Sequence, residues 1–103
     1  MRTKNEETVF DKAITTYGET SQIHMALEEM SELAKELCKS MRYSKKQYKR
    51  KVAEEVADVE IMLEQLKLIF GIDEDVEGWR LDKVVRLSER LGIIPDYRGG
   101  EDA

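Results

Sequence analysis

Cysteine and proline each occur once in this 103-residue chain, at Cys38 and Pro95. A lone cysteine cannot form an internal disulfide, which excludes a disulfide-stapled scaffold and reads as a reducing, cytoplasmic setting. Glycine is confined to positions 18, 71, 78, 92, 99 and 100, so long stretches carry no helix breaker. No purely apolar run is longer than Leu68-Ile69-Phe70, which excludes a membrane-spanning helix. The opening Met-Arg-Thr-Lys-Asn-Glu-Glu is polar and lacks the apolar core of a secretory signal. A surplus of positive charge is missing as well: the formal net charge is -5, which argues against a nucleic-acid binder.

What is present is a globular composition, 38% charged and 41% hydrophobic, of a length that suits one domain. We read that domain as residues 1–97, with "RGGEDA" at 98–103 as a disordered tail. The apolar spacing predicts helices throughout. The first runs from about Asn5 to Tyr17, with Val9, Phe10, Ala13, Ile14 and Tyr17 on one face, before Gly18 breaks or bends it. The second runs from about Thr20 to Arg42 along a bundle-type seam of Ile23, Leu27, Met30, Ala34, Leu37 and Met41. Ser44 and Gln47 fit a capping box for a third helix from about Lys45 to Phe70, stopped by Gly71. Its seam is Val52, Val56, Val59, Leu63, Leu66 and Phe70. Asp73 is placed to cap a last helix, with Trp79, Leu81, Val84, Val85, Ser88 and Leu91 on one face and Gly92 at its end. The fold class expected is therefore all-α. The short loop between the two long helices makes them an antiparallel hairpin. Two short helices can hardly cover both of its faces, so a homo-oligomer is expected.

Acids interrupt this pattern. With Val59 at zero on the third helix, Glu55 falls at about -40°, inside the apolar stripe, and Asp58 at about -100°, on its edge. Glu54 lies near -140°, closer to solvent. A carboxylate in a core stripe is costly unless it is paired or bound to a cation. Lys51, one turn earlier, can pair with Glu55, so the plain reading is an intrahelical ion pair. On the second helix, with Met30 at zero, Glu29, Glu36 and Glu32 share one flank at about -100°, -120° and -160°. Glu29 and Glu32, like Glu55 and Asp58, are three apart and therefore neighbours. On a packed hairpin the two pairs can converge. Four carboxylates with no histidine among them select a hard divalent ion, Mg²⁺ or Mn²⁺. The only histidine, His24, does not complete the Glu-x-x-His pattern of a di-iron bundle.

Positive charge is concentrated in "RYSKKQYKRK", residues 42–51, with six basic residues in ten. This is either a solvated loop and helix start or an anion-facing patch suited to a phosphorylated small molecule. On the last helix, with Val84 at zero, Lys83, Arg90 and Arg86 form a cationic strip at about -100° to -160°. Phe10, Tyr17, His24, Tyr43, Tyr48 and Trp79 are candidate platforms for a base, Trp79 being more often a core or interface residue. Met25 and Met62 read as packing residues, and Cys38 as a small core residue.

Glu28-Glu29-x-x-Glu32 followed by Glu55-x-x-Asp58, within "YGETSQIHMALEEMSELAKEL" and "KVAEEVADVEIMLEQL", resembles the signature of the MazG-like nucleoside triphosphate pyrophosphohydrolases of the all-α NTP pyrophosphatase superfamily. "LDKVVRLSERL" resembles that family's basic C-terminal helix, and the likeness covers roughly residues 10–92. It implies a four-helix bundle core completed as a homodimer or homotetramer. It implies Mg²⁺-dependent cleavage of a nucleoside triphosphate between the α and β phosphates, giving the monophosphate and pyrophosphate. Carried over by position, Glu29, Glu32, Glu55 and Asp58 are the catalytic metal ligands, and Glu28 completes the motif. Lys51, with Lys83, Arg86 and Arg90, would contact substrate phosphates. The alternative from another class is a non-catalytic helical oligomerisation or adaptor module whose acids are salt-bridged.

Overall fold

The computed structural model describes residues 2–93 and is all-α, with no strand among them. Four helices follow in order: α1 Lys4–Tyr17, α2 Glu19–Arg42, α3 Lys45–Phe70 and α4 Asp73–Arg90. The expected tail, 98–103, and the end of the expected domain lie outside the described residues. None of these helices is long and apolar enough to cross a membrane.

The ends of the helices follow from local chemistry. Thr3 Oγ1 accepts from the Glu6 N–H at 3.0 Å and Glu6 Oε1 accepts from the Thr3 N–H at 2.7 Å, a complete capping box that starts α1. Gly18 breaks the chain between α1 and α2 rather than bending one helix. Ser44 Oγ accepts from the Gln47 N–H at 3.0 Å and starts α3 where expected. Gly71 ends α3 in the left-handed region, φ +63° and ψ +44°, which a side chain would make costly. The expectation for α4 needs correction. Asp73 is not its cap: Ile72 holds that position without a side-chain bond. Asp73, Glu74 and Asp75 instead occupy the first turn, where their charge favours the positive end of the helix dipole.

The chain divides into two compact units, residues 1–71 and 72–103. In the first, α2 and α3 form the hairpin and α1 packs on both, burying Phe10. Arg2 reaches across to Glu64 at 2.8 Å, and Lys67 holds the same carboxylate at 2.6 Å. These cations outweigh burial, which alone would raise the Glu64 pKa, and hold it below its ordinary value.

The hairpin packs on a different face of α2 from the one expected. Gln22, Ala26 and Glu36 are buried, whereas Leu27, Leu37 and Met41 are 56%, 42% and 79% exposed. On α3, Met62 and Gln65 are buried while Val56, Leu63 and Phe70 are exposed. The apolar rows read as the seam therefore flank the interface instead of filling it. A buried amide pair lies in that interface: Gln22 Nε2 donates to Gln65 Oε1 at 2.7 Å, so both amides are satisfied in the register the helices adopt. Cys38, expected in the core, is exposed.

In the second unit α4 closes with Gly92 at φ +70°. The Ile93 N–H donates to Ser88 O and the Gly92 N–H to Glu89 O, the paired bonds of a Schellman stop. Trp79 and Leu91, expected on a covered face, are 59% and 63% exposed.

Candidate metal centre

The register of the hairpin builds the site. Glu29 stands seven residues after Gln22, and Asp58 seven before Gln65. Seven residues are two helical turns, so the register in which the amides pair brings Glu29 and Asp58 level again two turns on. Glu55, one turn before Asp58, points to the same place. One carboxylate oxygen from each of Glu29, Glu55 and Asp58 lies within 4.8 Å of the others, and all three side chains are half-buried. Oxygens on opposite sides of an octahedral magnesium stand about 4.2 Å apart, so small side-chain adjustments would suffice to ligate one.

Nothing in the described residues neutralises these acids. None of the three takes part in an ion pair, and Glu55 Oε2 is buried with no hydrogen-bond partner. Lys51, the expected partner for Glu55, is exposed and forms no ion pair. The expected Lys51–Glu55 pair is thereby corrected: the Lys51 side chain takes solvent in preference to the half-buried face. Burial raises the Glu29 pKa, and the neighbouring Asp58 carboxyl, with the charges of Glu55 and Glu32, raises it further. Burial likewise raises that of Glu55, followed by the charges of Asp58, Glu32, Glu54 and Glu36. Like charges gathered without a counter-cation, one of them with an orphaned buried oxygen, fit a hard divalent ion.

Of the four ligands expected, Glu29, Glu55 and Asp58 converge. Glu32 is exposed and outside the convergent group, although its charge reaches both Glu29 and Glu55. Glu28 is exposed too. Glu36 was placed on this flank without a role; it is buried to 6% exposure with Lys39 Nζ at 3.8 Å. Its position seven residues after Glu29 was the signal that it belongs to the same face. On α4, Lys83, Arg86 and Arg90 are exposed. Lys83 Nζ sits 5.8 Å over the Trp79 ring, and Arg86 pairs with Asp82. Tyr43 and Tyr48 stack on each other at 5.9 Å, and Phe10 is spent on packing, which removes it as a platform for a base. Compared with protein-family models, with curated proteins and with solved structures, the chain matches none.

Proposed function

We propose that this chain is a Mg²⁺-dependent nucleoside triphosphate pyrophosphohydrolase of the MazG-like kind, cytoplasmic and active as a homodimer or homotetramer. The observation that carries the reading is the convergence of Glu29, Glu55 and Asp58, together with a buried Glu55 oxygen that has no hydrogen-bond partner. In this reading those three side chains hold the ion, with Glu32 completing the set from the adjacent turn. A divalent ion bound there supplies neutralisation of the phosphates and a water of lowered pKa. Bare carboxylates would repel a triphosphate, so the acids serve substrate only when loaded. A carboxylate that is not engaged in ligation accepts the proton of the attacking water or orients it. Lys51, one turn before Glu55, and Lys83, Arg86 and Arg90 of α4 are the cations assigned to the phosphates. Mn²⁺ fits the same oxygen donors.

The test is pyrophosphate release from a panel of nucleoside and deoxynucleoside triphosphates with Mg²⁺. Glu55→Gln and Asp58→Asn are each expected to abolish turnover while the helical circular-dichroism signal is kept. Activity that persists in EDTA, or in both variants, would sink the reading. Absence of turnover together with absence of Mg²⁺ binding by calorimetry would leave the helical adaptor alternative in its place.

A further inference from the structure

A second feature of the hairpin lies beside the acids. Leu37 and Ser40 of α2 and Val52 and Ala53 of α3 floor an open groove of about 610 Å³, rimmed by Lys45, Lys46 and Lys49. With Val59 at zero, Lys49 and Ala53 fall at about +80° and +120°, whereas Asp58 falls at about -100°. Val52 of the floor, at about +20°, lies one turn before Glu55, at about -40°, so the groove adjoins the metal centre and opens on the other side of Val52 from Asp58.

The rim is electrostatically unfavourable by itself. Lys45 and Lys46 sit in the first turn of α3, which has no acidic residue, and so add positive charge to the positive end of the helix dipole. None of the three lysines forms an ion pair. The floor is largely apolar and open, and its Leu37 is exposed. An occupant with an apolar stripe set among acids would complement both features.

The chain carries such a segment. Residues 72–79, "IDEDVEGW", hold four acids and no base, against six bases and no acid in residues 42–51. Val76 and Trp79 are three apart, on one flank of α4, among Glu74, Asp75 and Glu77. Those three acids are exposed and form no ion pair, and Trp79 is 59% exposed. Connectivity decides whose groove they reach. Asp73 follows Phe70 by only three residues, whereas Val52 precedes Phe70 by 18, about 27 Å of helix.

The geometry points to an interface in which the acidic first turn of α4 of one copy docks in the lysine-rimmed groove of a second copy. Each copy offers both a groove and an acidic turn, so a two-fold pair makes the contact twice. The association weakens with salt, because the charges meet near the surface. It makes no use of Glu29, Glu55 or Asp58.

Two measurements test this. In the first, equal amounts of ¹⁵N-labelled and unlabelled full chain are treated with a zero-length carbodiimide and digested. Links from Lys45, Lys46 or Lys49 to Glu74, Asp75 or Glu77 are expected, about half of them joining a labelled to an unlabelled peptide. Absence of these links, or links only between peptides of the same label, overturns the proposal. In the second, self-association is followed by sedimentation for K45E/K46E/K49E and for E74K/D75K/E77K. Each variant alone is expected to weaken association at least tenfold, and an equal mixture of the two is expected to restore it, since charges are again opposite across both contacts. No recovery on mixing, with helicity intact in both variants, overturns it as well.

Discussion

Glu29 and Glu55 bind protons more tightly in the folded chain than at their ordinary value of 4.5. For acids with raised values the sign is fixed. The native state holds more protons than the unfolded state between the two values, so stability falls as pH rises. Their favourable contribution is complete below about 4.5 and is lost as pH climbs through their folded values. In EDTA the thermal midpoint should therefore decline across that window, and a divalent ion added at neutral pH should reverse the decline. At a hundredfold excess over its dissociation constant a bound ion adds about 2.7 kcal/mol, which is on the order of ten degrees for a domain of this size. Asp58→Asn should raise the midpoint in EDTA, by removing a repelling charge, and abolish the ion's increment. Melting curves with and without Mg²⁺ at several pH values check both, and a midpoint insensitive to Mg²⁺ would count against the centre. Glu64 titrates with the opposite sign. Its folded value is lowered by Lys67 and Arg2, so its contribution is present above about 4.5 and lost as pH falls through the folded value. Glu64→Gln should cost up to about 1 kcal/mol at neutral pH, and the difference from the parent chain should vanish in acid. At this scale the acids of the centre were legible because the helical period alone places Glu55 in an apolar stripe. The pairing of Arg2 with Glu64 was not, because 62 residues separate the partners and no local rule joins them.

The helices themselves were legible to within a residue or two, since their stops are written locally in Gly18, Ser44 and Gly71. The start of α1 is also written locally, in the Thr3-x-x-Glu6 pattern, whereas apolar spacing alone places it near Asn5. The face that α2 turns to α3 was hidden. Apolar periodicity shows that a row will be covered but not by what, and here a glutamine pair lies in the interface while the apolar rows stay outside it. That alignment can be tested through the amides. Gln22→Leu alone leaves the Gln65 side chain buried without its partner and should cost about 1–3 kcal/mol. Gln22→Leu with Gln65→Leu removes both polar groups and should be close to neutral. Urea unfolding with an unchanged m-value separates these outcomes. The double variant should nevertheless lose part of its Mg²⁺-dependent stabilisation, because Glu29 and Asp58 come level in the register in which those amides pair. Equal Mg²⁺ responses in the parent and double variant would mean that the acids align for another reason.

At the scale of the whole molecule, the apolar residues are not where a self-sufficient monomer would keep them. Among the described residues only Phe10, Ala26 and Met62 are buried apolar side chains. With Leu33, Val59 and Leu66 only half-buried beside them, this is a thin core for a hairpin of 24 and 26 residues to set against the entropy of ordering it. Meanwhile Leu27, Met30, Leu37 and Met41 of α2, with Val56 and Leu63 of α3, form rows on the hairpin that remain exposed. These are rows that sequence periodicity marked as the seam, and large apolar side chains left exposed in rows are the mark of an association surface. On the proposed oligomer a second copy covers them, and folding is then linked to association. The unfolding midpoint should rise with chain concentration, as mass action requires when only the associated state is stable. Leu27→Lys combined with Leu63→Lys decides the matter, because both positions are exposed in the single chain. On a monomer these changes should stay within about 0.5 kcal/mol. On an oligomer they place charges against an apolar surface, so sedimentation should show at least a tenfold weaker association and the midpoint should lose its concentration dependence. A parent chain that sediments as a monomer at every concentration, with a midpoint that neither dilution nor the two lysines move, would show that the exposed rows have no partner in a second copy.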